Sequence, residues 1–168
     1  MACATSPIHI HSGGVAAASE KPALRLERLY PVAPEKVWRA WTEPKALIAW
    51  FGPGAPNSVS LAEIDLRVGG RFHIAFSTPD GQQHDVRGTY LEVERPRTLK
   101  FTWAWRSTPE RESLVTVNLV STVDGQGTHM IFVHEQFHDE AARVDHEGGW
   151  TLTFEKLAHF FDRTPSRV

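Results

Sequence analysis

The sequence predicts an α+β fold, an antiparallel sheet covered by one long C-terminal helix, on three observations. From Asn57 to Glu135 the chain is a run of alternating apolar and polar segments, punctuated by Gly69-Gly70, Asp80-Gly81, Pro96 and Asp124 to Gly127. Such punctuation marks consecutive hairpins. Near the C-terminus, Trp150, Phe154, Leu157 and Phe161 recur at i, i+4, i+7 and i+11, the stripe of an amphipathic helix. Two short helical segments precede the hairpins. A meander of antiparallel strands has one covered and one wet face, and the apolar stripe of the helix is the natural cover.

Taken in order, ALRLERLYPV places Leu24, Leu26 and Arg28 on one face of a first strand that ends near Pro31. In APEKVWRAW, Pro34 suits a first helical position and Val37 with Trp41 forms an i, i+4 apolar pair. Ala33 is a poor cap, so this helix depends on packing. Thr42 is expected to cap a second helix, EPKALIAWF, ended by Gly52-Pro53. NSVSLAEIDLRV then runs to Gly69-Gly70, read as a two-residue turn with Asp65 and Arg67 as a polar pair beside it. RFHIAF alternates Phe72, Ile74 and Phe76 against His73 and Ala75. HDVRGTYLEVE carries Gly88, expected at a bulge or a close backbone approach. If the face it shares with Tyr90 and Glu92 is the inner one, Glu92 is a buried carboxylate in need of a partner such as Arg71 or Arg87. TLKFTWAW is the cleanest alternation, with Leu99, Phe101, Trp103 and Trp105 inward. ESLVTVNLV sends Val115, Val117 and Leu119 inward, and THMIFVHE sends Met130, Phe132 and His134. DEAARVDHE reads as a short helix with Asp139 near its start, ahead of the long stripe. Gly148-Gly149 is expected to allow close helix approach or to leave cavity volume.

The expected organisation is a flexible tail over residues 1–22, one domain over 23–164 and a C-terminal tail over 165–168. The 168 residues are 41% hydrophobic and 23% charged, with a formal net charge of -2 and no basic run longer than a pair. Nucleic acid is excluded as a partner, because phosphate binding needs a concentrated basic surface. No apolar stretch approaches the roughly 20 residues of a membrane span. Cys3 is the only cysteine, which excludes an intrachain disulfide and a thiolate metal cluster and suits a reducing cytoplasm. His9 and His11, with Cys3, read as parts of the tail and not as metal ligands.

Several phrases in this order resemble a known family: VAPEKVWRAWTEPKALIAWFGP, IDLRVGGRF, GTYLEVERPRTLKFTW and HEQFHDEAARVDHEGGWTLTFEKLAHFF. Together they are similar to the bacterial family homologous to the activator of the ninety-kilodalton heat-shock-protein ATPase, within the START-like SRPBCC superfamily. The similarity runs from Leu24 to Asp162. It implies the helix-grip fold, in which a curved antiparallel sheet with two short helices wraps around a long C-terminal helix and encloses an apolar cavity. It further implies binding of a small hydrophobic molecule, with a stress-related role. An enzyme of hydrolase or cyclase type in the same cavity is an alternative, and a chaperone-interaction module is another. The eukaryotic co-chaperone has an additional N-terminal domain for which this chain is expected to have no room. A homodimer is compatible with the family, and no sequence feature compels one.

The predicted ligand-binding residues are Phe72, Ile74, Phe101, Trp103, Val115, Met130, Phe132, Trp150 and Phe154 as cavity walls, Trp50 and Phe51 at the rim, and Tyr90 and His134 as polar handles. No catalytic residue is assigned; His134 is the candidate acid or base should the cavity catalyse. His73 and His129 should face outward, while His84, His138 and His146 read as surface residues. HEQFH matches the H-E-x-x-H pattern of zinc proteases, which requires both histidines on one helical face. Here His134 ends a strand, so the match is read as accidental, with no metal and no cofactor implied. No Gly-x-Ser-x-Gly elbow, phosphate loop or dinucleotide fingerprint is present.

Overall fold

In the computed structural model, which describes residues 21–163, the alternating segments form one seven-stranded antiparallel sheet. The strands are β1 (Leu24–Tyr30), β2 (Val59–Ile64), β3 (Arg71–Ser77), β4 (Gln83–Glu94), β5 (Thr98–Trp105), β6 (Ser113–Ser121) and β7 (Thr128–Glu135). The helices are α1 (Pro34–Thr42), α2 (Pro44–Trp50) and α3 (Glu140–Arg163). The strand order is β1-β7-β6-β5-β4-β3-β2, a meander from β2 to β7 with β1 paired to β7 in the register Leu24↔His134 through Tyr30↔Thr128. Pro22 extends that edge, its carbonyl accepting from Phe137 N at 3.1 Å. The expected tails lie outside the described residues apart from Lys21 and Pro22, as do Cys3, His9 and His11.

The inner face follows the alternation. Leu99, Phe101 and Trp103 of β5, Val115, Val117 and Leu119 of β6, and Met130, Phe132 and His134 of β7 are all buried. The apolar stripe of α3 lies against them, with Trp150, Phe154, Leu157 and Phe161 each at most 4% exposed. On the outer face His129 bonds Glu27 at 2.7 Å and His73 bonds Asp85 at 2.8 Å.

Four local expectations are corrected. Thr42 does not cap α2: its hydroxyl donates to Trp38 O at 2.8 Å, one turn back in α1, and the capping position is Glu43. The β2–β3 connection is longer than a two-residue turn. It spans residues 65–70, with Asp65 N donating to Arg71 O, and Gly69 and Gly70 exchange backbone bonds with Tyr90 on β4. The Asp65–Arg67 pair beside it is present at 2.9 Å. Glu92 is exposed, because the β4–β5 register shifts between Tyr90 and Glu92. The extra residue of this bulge reverses the alternation, so Tyr90 and Val93 face the core while Leu91 and Glu92 face solvent. Finally, DEAARVDHE is no separate helix. Asp139 caps α3 by accepting from Ala142 N at 2.8 Å, and the helix runs on through both glycines.

Gly88 is a close approach and not the bulge. A Cβ there would sit 1.9 Å from Thr102 O and 2.3 Å from Phe72 Cε1, so no side chain fits without moving the β5 backbone. Gly88→Ala is expected to destabilise the protein by about 3 kcal/mol or more, since overpacking against backbone has no rotamer to relieve it. Urea denaturation of the variant checks this.

Candidate functional site: a cavity at one end of the grip

The grip is not hollow along its length. Its deep half is filled by Trp41 of α1, only 4% exposed, whose ring lies 5.0 Å from Trp50, 6.1 Å from Phe132, 6.0 Å from Trp150 and 6.1 Å from Phe154, centroid to centroid. The open space is displaced toward the end of the sheet where β3 meets β4 and β5 ends. There a cavity of about 820 Å³ is bounded by Phe51, Gly52 and Pro53 after α2, by Ala75, Phe76 and Thr78, and by Gln83, His84 and Asp85. Trp103, Trp105, Arg106 and Ser107 close a second side, and Asp145, His146, Gly149, Trp150 and Thr153 of α3 a third.

The end of α2 places one aromatic in this wall and the other behind it. Trp50 is fully buried and donates its indole N–H to Ala40 O at 3.0 Å, tying α2 to α1. Phe51 is extended beyond the last helical turn, and its ring meets Phe76, Trp103 and Trp150 at 5.7, 6.1 and 5.9 Å. Gly52 follows with φ 91°, and a Cβ there would also press on Phe76 at 3.0 Å. The chain turns at a glycine because neither another backbone nor another side chain fits.

Among the residues predicted to bind ligand, Phe51, Trp103 and Trp150 line the cavity. Trp50, Phe72, Ile74, Tyr90, Phe101, Val115, Met130, Phe132, His134 and Phe154 lie in the packed core and not on the cavity wall. All of them are on the inner side, as alternation requires, but the cavity occupies only one end of that side. Tyr90 is wedged between Phe72 and Phe101, and burial pushes its phenol pKa up.

His134 is fully buried, and both ring nitrogens are engaged. Trp150 Nε1 donates to Nδ1 at 3.1 Å, so the proton resides on Nε2, which faces Ser113 Oγ at 2.7 Å. Ser113 in turn donates to Trp103 O at 3.2 Å. Burial and the neighbouring His146 ring hold the His134 pKa well below its ordinary value. A serine and a histidine in contact resemble a catalytic pair, but here the histidine offers Ser113 a proton and has no free lone pair to remove one. The chain of bonds reads as a structural lock.

His146 corrects the expectation of a surface residue. It lies on α3 four residues before Trp150, on the same stripe, and that spacing was the available signal. Its Nδ1 donates to Ala142 O at 2.7 Å, leaving the Nε2 lone pair to accept from both Trp103 Nε1 at 3.3 Å and Trp105 Nε1 at 3.1 Å. Burial lowers its pKa, and the bond to Ala142 offsets this in part. One imidazole thus fixes the two indoles that form a cavity wall. His84 also lines the cavity, bonded to Thr78 Oγ1 at 3.1 Å and stacked on Phe76 at 5.3 Å. His138 is exposed between β7 and α3, 3.8 Å from Asp139 and off any helical face shared with His134. Among the described residues no group of three or more His, Cys, Asp or Glu is arranged to hold a metal ion.

Gly149 faces the cavity, and a Cβ at that position would meet nothing within 4 Å. Of the two roles expected for this glycine, leaving volume is the one the geometry supports.

Over residues 31–162 the sequence matches the family described as Activator of Hsp90 ATPase homolog 1-like protein. The chain belongs to that family. Its helix-grip fold recurs in solved structures of similar proteins. A protein of Nitrosomonas europaea is 27% identical with a TM-score of 0.69, covering 84% of this chain and 94% of its own. One of Mesorhizobium loti is 30% identical with a TM-score of 0.67, covering 85% and 98%. A third, named AHSA1, from Silicibacter pomeroyi, is 28% identical with a TM-score of 0.67, covering 82% and 96%. No curated protein matches the sequence. Family and fold together are those of a START-like domain, and among the described residues no helix is long and apolar enough to cross a membrane.

Proposed function

We propose that this family member binds a small, predominantly aromatic or apolar molecule in the end cavity. The observation that carries the reading is the wall itself. Phe51, Phe76, Trp103, Trp105 and Trp150 surround a space of about 820 Å³, and the exposed Gln83, Arg106, Ser107 and Asp145 stand at its rim. An apolar body with a few polar groups at one end, in a space of several hundred Å³, is the usual form of a small-molecule site. A ligand's flat portion would pack between the indoles and its polar end would reach the rim. The indoles need no polar group from the ligand, because His146 already accepts from Trp103 and Trp105 and His134 from Trp150.

The test uses Gly149, where the cavity can be filled without disturbing the core. Gly149→Leu is expected to weaken binding of the fluorescent probe anilinonaphthalene sulfonate by about tenfold or more. Stability should hold or rise, because leucine is a better helix former by several tenths of a kcal/mol. Gly148→Ala, whose Cβ also meets nothing within 4 Å, is the control. It should stabilise the protein by about 0.5–1 kcal/mol and leave probe binding unchanged. Native mass spectrometry of the gently purified protein should show a small molecule released on denaturation. Equal probe binding by wild type and Gly149→Leu would overturn the proposal.

A further inference from the structure

Lys156 lies on α3 but turns away from the large cavity toward the segment after α2. Its nitrogen sits 3.5 Å from Phe51 O and 3.4 Å from Ala55 O, both long for hydrogen bonds of an ammonium. No carboxylate among the described residues pairs with it. The amine borders a small second pocket of about 150 Å³, walled by Ala49, Pro56, Asn57, His159 and Phe160. A space of about 150 Å³ is enough for a molecule the size of benzene.

We infer that Lys156 is a covalent capture site for small aliphatic aldehydes, which it holds as imines in this pocket. A lysine kept half out of water without a counter-charge is the arrangement that makes the amine a nucleophile. Burial moves its pKa down to about 8. Near pH 7.5 roughly a quarter of such an amine is neutral, against about one part in a thousand for an ordinary lysine. The neutral nitrogen attacks the carbonyl carbon and forms the C–N bond. A proton passes from nitrogen to oxygen to give the carbinolamine. A second proton, taken up by its hydroxyl, lets that group leave as water as the C–O bond breaks, and the protonated imine that remains returns its nitrogen proton to solvent. His159, one turn further along α3 on the same pocket, supplies an imidazole beside the departing hydroxyl. The aldehyde's alkyl chain lies against Ala49, Pro56 and Phe160.

The sequence makes the test direct, because the other lysines are only Lys21, Lys36, Lys45 and Lys100. The native protein is treated with pentanal and cyanoborohydride, which reduces an imine to a stable secondary amine, and is then mapped by peptide mass spectrometry. Lys156 is expected to be alkylated about tenfold or more faster than each of the other four. The preference should vanish in urea, and Gly149→Leu, which fills the other cavity, should leave it intact. Lys156→Arg should lose the fast-reacting site. If Lys156 reacts no faster than the others in the folded wild-type protein, or if its preference persists in urea, the inference is wrong.

Discussion

Trp41→Ala is expected to destabilise the protein by about 3–5 kcal/mol, the range for removing a buried tryptophan. The effect should sit at the upper end because of where the ring lies. Trp41 reaches from α1 to the aromatic side chains of both sheet and α3, in ring contact with Trp50, Phe101, Phe132, Trp150 and Phe154. Its neighbours are held by both layers and cannot collapse into the space. Among the described residues its indole N–H has no partner, so no hydrogen bond to them is lost with it. What disappears is dispersion and apolar burial, and what remains is a void in the deep half of the grip. Added indole should then restore part of the lost stability, rising with the logarithm of its concentration once the site is mostly occupied, as for any ligand of the folded state. Urea denaturation with and without indole measures both. A loss below about 1 kcal/mol would mean the core repacks and that Trp41 is not what confines the cavity to one end.

Acidification should have the second large effect. His134 is buried and His146 half-buried, and the pKa values of both are depressed in the folded protein. The unfolded chain takes up a proton on each below about pH 6.5, while the folded protein does not, so stability rises with pH in that window. Their contribution is fully present above the unfolded value and is lost as pH falls toward the folded ones. Each histidine can add at most about 1.4 kcal/mol per pH unit, reached where the folded protein stays unprotonated, and His134, with the stronger depression, carries the larger share. Carboxylates whose pKa values are lowered by arginine or histidine partners, such as Glu35 and Asp85, lose their contributions further down the scale in the same direction. Protonation of His146 also places an N–H opposite the two indole N–H groups of Trp103 and Trp105, so a change in tryptophan fluorescence should accompany the loss. Urea midpoints at about pH 7.5, 6.5 and 5.5 would show the slope, and His146→Gln should reduce it. A flat midpoint across that range would mean that the histidines are not neutral and locked.

Much of the architecture was legible because it rests on period. The alternation of TLKFTWAW assigns Leu99, Phe101 and Trp103 to the inner face through backbone geometry alone. The spacing of Trp150, Phe154, Leu157 and Phe161 fixes which side of α3 meets them. HEQFH could be set aside as a metal motif because a strand separates its histidines from any common helical face. Where the rule of two fails, at the bulge before Glu92, one inserted residue sends a carboxylate outward, and nothing in GTYLEVE announces it.

The site was legible only in part, for a different reason. Alternation decides inward or outward but carries no information about depth along the grip. Ten of the predicted ligand-binding residues are inward and yet lie in the packed core, to which Trp41 is added from α1, far away in sequence, filling the deep half. His146 was within reach, standing four residues before Trp150 on the visible stripe; its two indole partners come from β5, a pairing that only the packing of helix on sheet creates. The sequence by itself determined the strands, the covering helix and the side of the sheet that is apolar, since these follow from local periodicity and the need to bury one face. Where the empty volume lies was decided by the tertiary structure, because a cavity is set by what long-range packing fails to fill.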